Sequence, residues 1–133
     1  MSKLLYIIPP APQLVSKEGR HKNRSKIEEA VLSPVEIMST LNNLIDSGLT
    51  VDVLDMRSLT QCWEVEAREW EGQPLTLLAM GMRPEIVPVA DYDAVILTSN
   101  YRIMQPIVEK MLLTWRTRYP GLPHWCWWFR RVR

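Results

Sequence analysis

Ser47-Gly48-Leu49-Thr50-Val51-Asp52-Val53-Leu54-Asp55 is the stretch on which the fold reading turns. Gly48 stands where a helix needs a left-handed residue to stop. After it, Val51 and Val53 alternate with Asp52 and lead to Leu54, the pattern of a strand. Upstream, Ser33 can cap a helix, Pro34 suits the first helical position, and Glu36 can reach back as a capping-box partner. Ile37, Met38, Leu41, Leu44 and Ile45 then recur at helical spacing on one face. Residues 34–47 are therefore expected to form an amphipathic helix that delivers the chain into a strand over 51–54.

Working outward, Leu4, Leu5, Tyr6, Ile7 and Ile8 make a short apolar run stopped by Pro9 and Pro10, as in a strand buried on both faces of a parallel sheet. The helix between this strand and the next is a crossover, which should be right-handed. Residues 94–98 repeat the continuous apolar pattern after Asp91-Tyr92-Asp93. Pro106 then precedes Ile107, Val108, Met111, Leu112 and Trp115 on one helical face, and residues 124–129 read as a fourth strand. Residues 11–32 read as a long basic loop, with Lys17, Arg20, His21, Lys22, Arg24 and Lys26 around Gly19. Residues 57–90 carry mixed signals and are assigned no topology: Glu64, Val65 and Glu66 alternate like a strand, 75–82 suits helix or strand, and Pro84 and Pro88 interrupt. The expected fold is α/β, one domain over 1–133, a three-layer Rossmann-like (flavodoxin-like) open parallel sheet truncated at about four strands.

With 16 Lys+Arg against 15 Asp+Glu in 133 residues, charge makes no case for nucleic acid or a membrane surface. No apolar run reaches membrane-spanning length, and the first residues read as a strand rather than an export signal, so the expectation is a cytoplasmic protein with no membrane partner. Cys62 and Cys126 are too far apart in sequence to suggest a disulfide framework, and two thiolates cannot supply the closely spaced three that hold a radical-enzyme iron–sulfur cluster. His124 and Cys126 would share a strand face, but two ligands do not make a zinc site. No nucleophilic triad or glycine-rich nucleotide loop is present, so no catalytic residue and no metal ligand is assigned.

In open parallel sheets, ligands bind outside the carboxyl ends of the strands. That topology nominates Pro9, Pro10 and Ala11 after the first strand, Asp55 and Met56 after the second, and Ser99, Asn100 and Tyr101 after the third. The run from Pro9-Pro10 through Ser33-Pro34 to Asp55 resembles the N-terminal cobalamin-binding domain of B12-dependent radical S-adenosylmethionine proteins. Residues 91–99 and Arg118-Tyr119-Pro120-Gly121-Leu122-Pro123 extend that resemblance over roughly residues 3 to 125. The resemblance implies cobalamin on the carboxyl edge of the sheet, with Thr98 and Ser99 as polar contacts for its nucleotide tail. Cobalamin domains of mutases present Asp-x-His-x-x-Gly; the nearest run here, Gly19-Arg20-His21-Lys22-Asn23-Arg24, lacks the Asp and the Gly, so His21 is not expected to ligate cobalt. The missing thiolate set implies a module or remnant with no catalysis of its own, partnered by a separate radical S-adenosylmethionine catalytic domain or by a second copy.

Two alternatives stand beside this. Tyr101, Pro106 and Lys110 sit where flavodoxin-like FMN reductases often place Tyr, Pro and Lys, yet Pro9-Pro10 offers neither hydroxyls nor amides for a flavin phosphate, and Ser25 lies too far along. The other is a ligand-free interaction domain. The end, Trp125-Cys126-Trp127-Trp128-Phe129 before Arg130 and Arg131, is unusual for a parallel strand. It reads as an edge strand packing its aromatics on a helix or partner, or as a frameshift product, since codons for His124 onward read two bases on begin Leu-Val-Leu-Val-Val.

Overall fold

The computed structural model describes residues 3–16, 34–70, 72–99, 104–120 and 125–129; of residues 34–37, 40, 70, 98, 99 and 125–129 it describes the backbone only. In chain order the elements are β1 (Lys3–Ile8), β2 (Ala11–Ser16), α1 (Pro34–Asp46), β3 (Thr50–Asp55), β4 (Arg57–Trp70), β5 (Gln73–Gly81), two 3-10 turns (Pro84–Ile86 and Val89–Asp91), β6 (Ala94–Ser99), α2 (Gln105–Arg118) and β7 (Trp125–Phe129). The strands form two sheets. One is parallel, in the order β3-β1-β6-β7, and the other is antiparallel, in the order β2-β5-β4.

This overturns the expectation of a Rossmann-like (flavodoxin-like) fold built on one open parallel sheet. Three strands lie outside the parallel sheet, in an antiparallel sheet of their own. Residues 57–81 form the β4–β5 hairpin, whose turn is made at Gly72 with φ 77°, where a side chain would be strained. Residues 11–16, read as the start of the basic loop, pair with β5 instead. Pro12 is tolerated there because β2 is an edge strand, which spares a ladder hydrogen bond. The rest of that loop, residues 17–33, includes Ser33 and His21 and lies outside the described residues.

The parallel sheet separates two cores. On one face Tyr6 and Ile8 of β1 meet Leu41 and Leu44 of α1, with Val51 and Ile96 beside them. On the other, Leu5, Ile7, Val95 and Leu97 pack with Ile107, Val108, Met111 and Trp115 of α2. The same core takes in Leu14, Trp63, Val65, Leu75, Leu77 and Ala79 of the antiparallel sheet. α1 ends as its sequence requires: Gly48, at φ 80°, donates its N–H to the Ile45 carbonyl at 2.9 Å. Each fully buried large apolar side chain here contributes about 1.5–3 kcal/mol. Trp115, fully buried, also uses its polar edge: Nε1 donates to the Pro84 carbonyl at 2.8 Å and so ties α2 to the turn after β5.

Candidate functional site at the carboxyl edge

Among the described residues, three of the segments by which the chain passes between the sheets meet at the carboxyl edge of the parallel sheet: Pro9–Pro10 after β1, Met56 after β3, and Met82 after β5. They are stitched together by the main chain. The Met56 N–H donates to the Ile8 carbonyl at 2.9 Å, and the Met82 N–H donates to the Met56 carbonyl at 2.8 Å. Trp63 Nε1 then donates to the Met82 carbonyl at 3.0 Å. Pro9, Pro10 and Met56 are buried, and Gly81 lies so close that a Cβ there would overlap the Met56 carbonyl and stand 2.8 Å from the Pro10 Cβ. The β1–β3 end of the edge is thus filled by the chain itself.

Asp55 stays outside this plug but is not free. Arg57 donates from Nε to Asp55 Oδ1 at 2.9 Å and from Nη2 to Oδ2 at 2.7 Å, and the Arg57 N–H adds a third bond to Oδ1 at 3.0 Å. Partial burial pushes the Asp55 carboxyl up, but these hydrogen bonds and the Arg57 charge outweigh it and hold the group below its ordinary value. The hydrogen bonds to Asp55 in turn raise Arg57 above its ordinary value.

Of the residues named from topology, Pro9, Pro10, Ala11, Asp55 and Met56 do come together, because Ile8 pairs with Asp55 at the strand ends. Ala11 is half-buried and already belongs to β2. Thr98 and Ser99 close β6, paired with Trp128 and Phe129, while Ile7 pairs with Leu97, so β1 and β6 end nearly level. Asn100 and Tyr101 lie outside the described residues. Pro9, Pro10 and Met56 are buried at the inter-sheet junction. The β6 end is where hydroxyl-bearing residues finish a strand away from that plug.

Sequence reading missed Gly81, Met82 and Arg57. Gly81 did carry a signal, because a glycine inside an apolar strand run, here Leu77-Leu78-Ala79-Met80-Gly81-Met82, marks a close backbone approach. Lys110, considered for a flavin site, instead donates from Nζ to the carbonyls of Glu64 and Val65 at 3.2 and 3.0 Å. The opposite end of the parallel sheet is closed by Asp52, which accepts from Tyr92 Oη at 2.7 Å and lies 3.7 Å from Lys3 Nζ.

Among the described residues no His, Cys, Asp or Glu cluster is disposed to hold a metal ion, and no helix is long and apolar enough to cross a membrane. No known family, curated protein or solved structure matches the chain.

Proposed function

We propose that the chain is a cobalamin-binding module of B12-dependent radical S-adenosylmethionine type, or the remnant of one, without catalysis of its own. It would work in the cytoplasm beside a separate catalytic domain or as a homodimer. The observation that carries this reading is the strand order. The parallel sheet grows from β1 to β3 on one side and from β1 to β6 on the other, with α1 and α2 on opposite faces. Ligands of parallel sheets lodge outside the carboxyl ends at such a reversal, here the gap between β1 and β6. Thr98 and Ser99 end β6 at that gap and supply the residue type that a nucleotide tail needs.

The filled β1–β3 end narrows the reading. Pro9, Pro10 and Met56 act as scaffold, and the contacts left for a ligand are at the β6 end. That loss of surface favours the remnant over the fully active module. The test is protein purified from cells supplied with cobalamin and riboflavin: corrinoid absorbance supports the proposal, and flavin absorbance supports the FMN alternative. That alternative has lost Lys110 to the carbonyls of β4.

A ligand-free interaction domain is the second reading. It is favoured by apolar side chains left outside the core, with Met38 and Ile45 on α1 and Val53 on β3 each about half exposed. Colourless protein that sediments as a concentration-dependent dimer would support it.

A further inference from the structure

β4 is an outer strand of the antiparallel sheet, and its unpaired edge faces α2 across a groove of about 520 Å³ lined by Val65, Arg68, Pro106, Glu109, Lys110 and Leu113. Long outer strands invite pairing with another chain, and proteins close them with bulges and with lysine. Both devices occur here at one point. The β4–β5 register shifts between Glu64 and Glu66, so Val65 is the extra residue of a bulge. Successive carbonyls of a regular strand point to opposite edges, whereas a bulge turns two of them the same way. The Lys110 ammonium takes both, from Glu64 at 3.2 Å and from Val65 at 3.0 Å.

We infer that Lys110 and the Val65 bulge form an edge guard that keeps β4 from pairing with a second copy of the chain. Two features fit this role. Lys110 is exposed and comes from α2 rather than from β4, so it can be withdrawn without unfolding the strand. Its charge serves neutral carbonyls, so what it supplies is the donors that an incoming strand would otherwise bring.

The experiment compares sedimentation of the intact chain with Lys110→Met, Lys110→Gln and Lys110→Arg over a hundredfold concentration range, with near-ultraviolet circular dichroism reporting the packing of the tryptophans. The guard predicts that the parent and Lys110→Arg sediment alike, because Arg keeps donors for both carbonyls. At least one neutral variant should associate at tenfold or lower concentration than the parent while keeping the parent's tryptophan signal. Neutral variants that sediment like the parent overturn the inference. So does association seen only with loss of that signal, because it would report unfolding rather than an opened edge.

Discussion

The α-carbon of Gly81 faces the main-chain carbonyl of Met56 so closely that a methyl group cannot stand between them. At that contact the hairpin of the antiparallel sheet returns to the end of the parallel one, and Met82 donates its N–H to the same carbonyl. Gly81→Ala must push Met56 or Pro10 aside, and an overpacked core position costs about 1–3 kcal/mol. Urea unfolding should show a lowered midpoint of that size; an unchanged midpoint would mean that the junction is looser than described.

Trp115→Phe keeps most of the buried ring but removes the Nε1 donor from the Pro84 carbonyl. The Pro84 carbonyl keeps its bond from the Val87 N–H at 3.2 Å, so the loss is that of one hydrogen bond, about 0.5–1.5 kcal/mol. The variant should lose that much stability, and hydrogen exchange should rise in the turn over Pro84–Ile86, which α2 holds through this bond and through Arg118 Nη1 on the Glu85 carbonyl at 3.1 Å.

Asp55 gives a pH dependence of definite sign. Its folded value lies below the ordinary 3.8, so the Asp55–Arg57 contribution is present above that value and is lost as the pH falls through the lowered one. Both side chains are a third to nearly half exposed, which limits the pair to about 0–1 kcal/mol. Asp55→Asn should therefore cost little at neutral pH and flatten the stability profile only in the acid range. A steeper loss at neutral pH would show that Asp55 holds the inter-sheet junction.

How much of this was legible follows from range of contact. Residues 4–8, 34–47 and 94–98 declare themselves locally, through continuous apolar runs or one amphipathic face, and Gly48 ends its helix by a conformation that only its own backbone decides. The antiparallel sheet had only a partial local signature, the alternation at Glu64, Val65 and Glu66. Pro12 made β2 look like loop, and the register shifts of β4, between Arg57 and Cys62 and between Glu64 and Glu66, keep the alternation at Val65 from extending along the strand. Pairing of Leu14 with Leu77 is a contact between distant segments, which no window of sequence contains. For the same reason Pro9 and Pro10 read as the rim of a ligand site, although both are buried and Gly81 lies close against Pro10.

The proposed site at the β6 end makes a contrast between two substitutions. Ser99→Leu replaces a hydroxyl at the end of β6 with an apolar branch and should weaken cobalamin binding about tenfold or more while leaving the unfolding midpoint unchanged. His21→Ala should leave both affinity and the corrinoid spectrum as they are. A spectrum altered by His21→Ala would place that imidazole on cobalt.

The most direct measurement is titration of the purified chain with hydroxocobalamin, followed by equilibrium dialysis and visible absorbance, with FMN titrated in parallel. The account predicts saturable corrinoid binding near one equivalent per chain and no retention of FMN. No retained corrinoid, or FMN retained in its place, would contradict it.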